Sequence, residues 1–257
     1  MDTISNEPII KRIPFNTGSG VGERARIGLL VLESDQTIEE EFRLLTKLPG
    51  VSIYHARLKN ESKVTTKMLS RMKEQIPLAA QLIPPYLGIK SIGYGCTSGS
   101  TIIGEDRVKK ILSTAHKGVP STNPLSAAKA ALKIMGVKRL ALITPYSPDI
   151  TIAMQKNFKQ SDVPVTIVGS YFEENDKNVG RIDEDSIYNA IISVGGSESC
   201  DGVFISCTSL RAANIIEKAE NAINKPVTAS NHALAWHLLR LAGINDNISG
   251  FGSLFKL

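Results

Sequence analysis

The sequence predicts an α/β fold made of two similar lobes, each with a parallel β-sheet, related by a pseudo-two-fold axis with the active site between them. Short apolar runs alternate with amphipathic segments over most of the 257 residues, as parallel strands and their crossover helices do. One apolar run in each half ends in a cysteine, and Cys96 and Cys207 lie 111 residues apart. Similar tripeptides at 122–124 and 230–232 open a helix in each half at an offset of 108. These matched offsets indicate an internal duplication.

The first half begins with the run 26–32 (RIGLLVL), whose unbroken apolar character is typical of a buried strand. Shorter apolar runs follow, separated by amphipathic segments. The predicted strands are 26–32, 51–55, 90–95 and 118–121. The predicted helices are 37–47, 67–82 and 124–135.

The second half repeats this alternation, starting with the run 139–144 (RLALIT). The predicted strands are 139–144, 164–168, 202–206 and 226–229, and the predicted helices are 149–159, 183–194, 211–221 and 231–241. We divide the chain into an N-terminal arm at 1–24, a first lobe at 25–135 and a second lobe at 136–257. The last helix and the C-terminal segment are able to pack back on the first lobe.

The composition is that of an ordinary globular protein, with 42% hydrophobic and 21% charged residues and a net charge of +5. The lysines are not interleaved with aromatic residues and no nucleic-acid-binding motif occurs, so we expect no nucleic-acid partner. No run of about 18 apolar residues predicts a membrane span, and residues 1–21 lack the apolar stretch of a signal peptide. We therefore expect a cytoplasmic protein with no membrane partner.

Two of the three cysteines stand in settings that favour chemistry. Cys96 lies in 94–100 (YGCTSGS) and Cys207 in 206–211 (SCTSLR), each at a strand end followed by small and hydroxylic residues. Free N–H groups there are expected to bind an anion and to lower the thiol pKa. A buried structural thiol is the alternative for either cysteine alone, but two matched positions favour a catalytic pair. Cys200 has no such setting, and we interpret it as structural.

The loop after the first strand of each half supplies two further candidates. Asp35 could cap the helix that follows it, and Tyr146 lies in a turn where its hydroxyl could donate to a substrate carboxylate. Position alone does not decide between these alternatives. No CxxC pair, no His and Cys spacing typical of a metal site and no Gly-rich phosphate loop occurs, so we expect neither a metal nor a cofactor.

The two cysteine segments, 94–100 and 206–211, together with 226–243, resemble the aspartate/glutamate racemase superfamily. Within it they are most similar to the branch of maleate isomerases and arylmalonate decarboxylases. The resemblance covers 26–252. It implies two α/β lobes that enclose the substrate, with Cys96 and Cys207 as nucleophile or as acid and base. It also implies that a small carboxylate is bound by Thr97, Ser98, Tyr146, Thr208 and Ser209, and that the protein is a homodimer or a larger homo-oligomer.

One departure from that branch bears on the substrate. Maleate isomerases carry an asparagine in the first loop, where this chain has Asp35 followed by Gln36. We take both as candidate substrate-binding residues. An ionised Asp35 would repel a dicarboxylate and suit an ammonium or amidinium group. The stretch around it looks more like ectoine-utilisation protein A, and a further family asparagine could correspond to Asn175 or Asn178.

The leading hypothesis is a cofactor-independent, two-cysteine racemase or isomerase that acts on a small nitrogen-bearing carboxylate of amino-acid or ectoine-pathway type. In it, one thiolate removes a proton and the opposite thiol returns one. The first alternative is a maleate cis-trans isomerase that forms a covalent adduct on Cys96. The second is a protein that only binds a small carboxylate, although binding alone needs neither thiol.

Overall fold

The first lobe is built on a four-stranded parallel sheet of order β2-β1-β3-β4, with strands at Ala25–Leu32 (β1), Val51–Leu58 (β2), Ser91–Gly95 (β3) and Ser121–Thr122 (β4). The structure is a computed structural model and describes residues 8, 10–61 and 63–257. Most of the predicted arm precedes β1 as an exposed stretch without helix or strand at 10–21, and residues 1–7 and 9 lie outside the described residues.

The second lobe repeats this sheet with the order β6-β5-β7-β8. Its strands are Leu140–Thr144 (β5), Val165–Ser170 (β6), Gly202–Ile205 (β7) and Val227–Ala229 (β8), and all pairings are parallel. Strands β3, β5 and β7 are buried along their whole length, as expected for central strands covered on both faces. The matching orders confirm the predicted fold of two similar parallel-sheet α/β lobes.

Helices connect the strands in both lobes. They are Ile38–Leu45 (α1), Thr66–Arg71 (α2), Ile76–Gln81 (α3), Thr97–Ile103 (α4), Glu105–Ala115 (α5), Pro124–Ile134 (α6), Pro148–Lys159 (α7), Asp176–Val179 (α8), Glu184–Ala190 (α9), Ile216–Ile223 (α10) and Ser230–Leu241 (α11). Short 3₁₀ turns occur at Met72–Glu74, Pro85–Leu87, Ala213–Ile215 and Leu254–Lys256, and α9 continues into a π-helical turn at Ile191–Gly195. None of the helices in the described part of the chain is long and apolar enough to cross a membrane.

The last helix interlocks the lobes. Although α11 follows β8 of the second lobe, it packs on β3 and β4 of the first and against α6. Ser91 Oγ in β3 donates to the Leu238 carbonyl at 2.9 Å. Gly93 leaves the room that Leu238 fills, since a Cβ at this glycine would lie 2.8 Å from Leu238 Cδ1. The second half of α11 is thereby fixed against the sheet of the first lobe.

The prediction of one helix over 67–82 is wrong. The segment divides into α2, the 3₁₀ turn at Met72–Glu74 and α3. Pro77 lies in the first turn of α3. Its missing N–H has no consequence there, whereas inside a continuous helix its ring would clash with the preceding turn and remove a hydrogen bond.

Three helices were not predicted: α4, α5 and α8. Helix α4 is built from Thr, Ser and Gly residues of low helix propensity, and it forms because it packs against α2 and α7. The predicted strand 118–121 is also displaced and forms only at Ser121–Thr122, because Pro120 has no N–H for a sheet ladder. In α4 and β4, packing and sheet pairing therefore override what the local sequence favours.

Candidate active site

Cys96 ends β3 and caps the first turn of α4. Its Sγ accepts a hydrogen bond from Gly99 N at 3.2 Å and lies 3.7 Å from Ser98 Oγ. A Cβ at Gly99 would lie 2.9 Å from this sulfur and 2.5 Å from the Tyr94 hydroxyl oxygen, so only glycine fits without displacing a neighbour. The thiol is 3% exposed. Its surroundings therefore come from its own strand and helix.

Cys207 follows β7 and is supported from other parts of the chain. Its N–H donates to Ser230 Oγ at 3.0 Å, and the Ser209 N–H and the Tyr146 hydroxyl lie near its sulfur, where each acts to lower the thiol pKa. The side chain is 5% exposed. Tyr146 lies after β5, in the loop that the sequence predicted to face the site.

One hydroxyl joins the two cysteine loops. Ser230 Oγ is 2.7 Å from Thr97 Oγ1, next to Cys96, and it also accepts the hydrogen bond from Cys207 N. Burial raises the pKa of the Tyr146 hydroxyl, and a negative charge on the sulfur of either Cys207 or Cys96 would raise it further, so Tyr146 lies near both thiols. The two cysteine loops therefore lie next to each other between the lobes, and Ser230 at the start of α11 connects them.

Asp35 is buried beside this pair, with an exposed fraction of 2%. Its Oδ1 accepts hydrogen bonds from Thr37 N at 2.8 Å and Ile38 N at 2.9 Å, so the residue does cap α1. Its Oδ2 is buried and, within the described ranges, has no hydrogen-bond partner. Burial raises the pKa of Asp35, although the two N–H groups and the nearby Thr208 hydroxyl counteract it. Capping uses one oxygen and leaves the other available to a ligand.

Asp176 is a second buried carboxylate that the sequence analysis missed. Ser34 Oγ donates to its Oδ2 at 2.6 Å and Ser209 Oγ to its Oδ1 at 3.5 Å, so it joins the Asp35 loop to the Cys207 loop. Burial and then the charge of Asp35 raise its pKa. Its only sequence signal was an acidic residue in a polar stretch, which is more typical of a surface.

The two asparagines considered at this position lie outside the site. Asn175 is exposed and caps α8 by accepting from Lys177 N, while Asn178 is exposed and donates to Glu173. Gln36 is exposed as well, and its contact with the substrate stays a prediction. The neighbouring Thr37 points inward instead, and its Oγ1 donates to the Ser209 carbonyl at 2.9 Å.

The other candidate binding residues are buried around the two thiols, namely Thr97, Ser98, Tyr146, Thr208 and Ser209, with exposed fractions of 1 to 4%. Cys200 lies elsewhere, with its Sγ 3.2 Å from the Ser197 carbonyl oxygen and 3.4 Å from that of Gly195. Among the residues that the structure describes, no group of three or more His, Cys, Asp or Glu side chains is arranged to hold a metal ion.

The expectation that the surroundings lower the thiol pKa values is wrong for this arrangement. Burial raises the pKa of Cys96 to about 11, against the Gly99 N–H and the Ser98 hydroxyl, which act in the opposite direction. Burial raises the pKa of Cys207 still more, and the negative charge of Asp176 adds to it. Both thiols are therefore protonated at neutral pH, and Cys96 is the more readily ionised of the two.

The arylmalonate decarboxylase family has a sequence profile that matches residues 45–255, which is most of the chain. The chain belongs to the arylmalonate decarboxylase family. The arylmalonate decarboxylase of Bordetella bronchiseptica is 26% identical over 140 residues, which are 54% of this chain and 58% of that protein. The maleate isomerase of Geobacillus stearothermophilus is 21% identical over 245 residues, which are 90% of this chain and 97% of that one.

Solved structures of maleate isomerases have the same fold as this chain. The maleate isomerase of Pseudomonas putida S16, solved with maleate, aligns with a TM-score of 0.82 at 20% identity and covers 90% of this chain and 97% of that one. A cysteine variant of the Nocardia farcinica maleate cis-trans isomerase, with a covalently bound succinylcysteine intermediate, aligns with a TM-score of 0.83 at 22% identity, covering 90% and 98%. The resemblance seen in the sequence is thus confirmed at the level of the family, and the likeness to ectoine-utilisation protein A stays a prediction.

Proposed function

We propose that this member of the arylmalonate decarboxylase family is a cofactor-independent isomerase that inverts or rearranges a small carboxylate carrying a cationic nitrogen. The observation that carries the proposal is one buried site in which two thiols, Cys96 and Cys207, share their surroundings with two carboxyl groups, Asp35 and Asp176. The thiols supply a pair of groups for proton transfer, and the carboxyl groups select the charge of the substrate.

The roles of the two thiols follow from their surroundings. Cys96 has the lower pKa, so its thiolate is the base that takes the proton from the substrate α-carbon. The electron pair of the C–H bond then remains on the substrate as an enolate. Cys207, which the Tyr146 hydroxyl contacts, donates its S–H proton to the opposite face of that carbon. After one inversion Cys96 is a thiol and Cys207 a thiolate, ready for the reverse reaction.

A cationic substrate would lower the pKa values of the two thiols and so allow one of them to ionise. Two carboxyl groups disfavour a nearby thiolate, since like charges about 4 Å apart repel by roughly 4 kcal/mol at an effective dielectric constant near 20. An ammonium or amidinium group held by Asp35 Oδ2 and Asp176 neutralises this charge and lowers the pKa of both thiols. The substrate carboxylate is then left to the hydroxyl and N–H groups that follow Cys96 and Cys207.

Substrate screening tests the proposal. The metal-free protein is mixed with amino-acid enantiomers, ectoine-pathway compounds and maleate, and optical rotation, chiral chromatography and ultraviolet absorbance are followed. We expect turnover of a nitrogen-bearing carboxylate and little or none of maleate. Turnover of uncharged or dianionic substrates alone would contradict the assigned role of the two carboxyl groups.

Cis-trans isomerisation through a covalent adduct is the second candidate. It is favoured by the likeness to maleate isomerases over 90% of the chain, one of which was solved with a succinylcysteine intermediate. In this reaction the Cys96 sulfur would add to the double bond, rotation about the resulting single bond would follow, and the thiolate would leave. Peptide mass spectrometry of acid-quenched, digested turnover mixtures distinguishes the two, because only this route adds the substrate mass to the peptide that contains Cys96.

A further inference from the structure

Glu41 is a buried carboxylate that the proposed chemistry does not use. It lies in the first turn of α1 with two other acidic residues, Glu39 and Glu40. Those two form surface ion pairs with Arg57 and Arg43, whereas Glu41 points inward and is 5% exposed. A buried carboxylate requires hydrogen-bond partners, and the identity of those partners indicates its role.

All partners of Glu41 belong to the second lobe. Its Oε1 accepts hydrogen bonds from Ala212 N and Ala213 N, both at 2.7 Å, and its Oε2 accepts one from Asn231 Nδ2 at 2.7 Å. None of these donors carries a charge. We define the Cys207 loop as residues 207–213, so Ala212 and Ala213 are its last two residues. Glu41 of the first lobe therefore binds the end of this loop.

The same carboxylate reaches the start of the loop through Asn231. The Asn231 Nδ2 group that donates to Glu41 also donates to the Thr208 carbonyl at 2.7 Å, directly after Cys207. Thr37, at the start of α1, donates to the Ser209 carbonyl. Segment 37–41 of the first lobe thus contacts the Cys207 loop directly at its middle and its end and reaches its beginning through Asn231. The hydrogen bonds recorded for the Cys96 sulfur come from its own helix instead.

We propose that Glu41 is a positioning residue, whose carboxylate holds the Cys207 loop in the arrangement that turns the Cys207 thiol toward the substrate. The consequence is specific because the Ser209 N–H and hydroxyl contact the Cys207 sulfur and Asp176. When the loop loosens, these two contacts weaken together. The effect on turnover rests on the proposed function, whereas the effect on the accessibility of the Cys207 thiol does not.

Thiol alkylation of Glu41→Gln tests this role without a known substrate. Gln keeps one acceptor oxygen but turns an NH₂ group toward the Asn231 amide donor. The intact protein is treated with iodoacetamide, and the rate at each cysteine is measured by peptide mass spectrometry. We expect Cys207 to react about tenfold faster than in the wild type, the factor that corresponds to losing roughly one charge-assisted hydrogen bond, with Cys96 and Cys200 within about twofold.

Glu40→Gln is the matched control, since it removes an exposed carboxylate from the same turn of α1 and should leave all three rates unchanged. An unchanged Cys207 rate in Glu41→Gln would overturn the proposal, and so would an equal increase at all three cysteines, which indicates global destabilisation. Should Glu41→Gln fail to fold, the alkylation rates are measured in Glu41→Asp. Its shorter side chain cannot reach all three donors, so Cys207 should again react selectively faster.

Kinetics add a second readout once a substrate is known. Glu41→Gln should lower kcat with little change in KM, because the loop carries the proton donor, and Glu41→Asp should recover part of kcat. Equal kcat values for wild type and Glu41→Gln would contradict the positioning role. If Glu41→Gln speeds alkylation of Cys207 alone but the wild type turns over no compound, the positioning role of Glu41 stands. Only the proposed function is then refuted.

Discussion

The loops that carry Cys96 and Cys207 occupy equivalent places in the two lobes but are held in different ways. The Cys96 sulfur takes its hydrogen bond from Gly99, three residues later, at the start of a helix that begins at once. The Cys207 loop reaches a helix only after Ala213–Ile215, and the first lobe holds it through Glu41. The duplicated fold thus supplies one thiol with local support and the other with support across the lobes.

This difference divides the chemistry between the thiols. Local N–H and hydroxyl donors offset part of the burial that raises the pKa of Cys96. Donors act in the same direction at Cys207, and the negative charge of Asp176 raises the pKa of both thiols, but for Cys207 it is the largest influence after burial. In the proposed reaction, this makes Cys96 the better base and Cys207 the better proton donor.

The largest expected effect is the loss of activity on replacing either thiol. Cys96→Ser and Cys207→Ser should each lower kcat by about a thousandfold, the usual range for removing a group that transfers a proton in the transition state, while substrate affinity survives. Cys200→Ser is the control and should retain activity. Steady-state kinetics and equilibrium binding together check this, and a protein in which one of the two serine variants keeps full activity would not use its thiols as a pair.

Asp176→Asn should have the next largest effect, on substrate choice. Removing one of two buried negative charges is expected to weaken binding of a cationic substrate by about ten- to a hundredfold, in line with the cost of removing one partner of a buried ion pair. It should also lower the pKa of Cys207 more than that of Cys96, because Asp176 contributes more to the former. The control is Asp106→Asn, an exposed residue of α5. Unchanged KM and unchanged thiol titration would place Asp176 outside the site.

Gly99→Ala probes the local support of Cys96. The added Cβ would meet the Cys96 sulfur and the Tyr94 hydroxyl at distances no real Cβ adopts, so the loop must shift. We expect activity to fall about tenfold and the free energy of unfolding by about 1 to 3 kcal/mol, with Gly18→Ala in the arm as a neutral control. Thiol alkylation should change at Cys96 rather than Cys207, the reverse of Glu41→Gln. A change confined to Cys207 would refute the distinction between local and inter-lobe support.

The smallest effect concerns the pH dependence of stability. Burial raises the pKa of Glu41 to about 7 from 4.5, so its contribution to stability is present below pH 4.5 and is lost as pH rises through 7. From pH 8 to pH 5 the wild type should gain roughly 2 to 3 kcal/mol relative to Glu41→Gln. Because His232 and the other buried groups titrate in both proteins, the difference isolates Glu41. Urea unfolding at both pH values measures it, and a constant difference would contradict burial of the ionisable group.

Local sequence signals predicted the parts of the molecule that are locally determined. The strands, the duplication and the settings of Cys96 and Cys207 follow from apolar runs and matched offsets, and Asp35 was placed correctly beside its loop. Asp35 and Gln36 were given the same role because the sequence does not show that the first side chain is buried and the second exposed. Asp176 and Glu41 were missed because they bind residues that are distant in the sequence. Ser34, a partner of Asp176, lies 142 residues from it, and Ala212 and Ala213 lie 171 and 172 residues from Glu41. The thiol pKa values were misjudged because burial is a tertiary property.

The central claim is that Cys96 and Cys207 meet one bound molecule from opposite sides, and solvent deuterium incorporation tests it most directly. A single enantiomer of the identified substrate is converted in D₂O, and product and remaining substrate are analysed by mass spectrometry at low conversion. We expect one deuterium at the inverted carbon of the product and none in the remaining substrate, because different thiols remove and return the proton. Product without deuterium, or equal labelling of both enantiomers from the first turnovers, would contradict it.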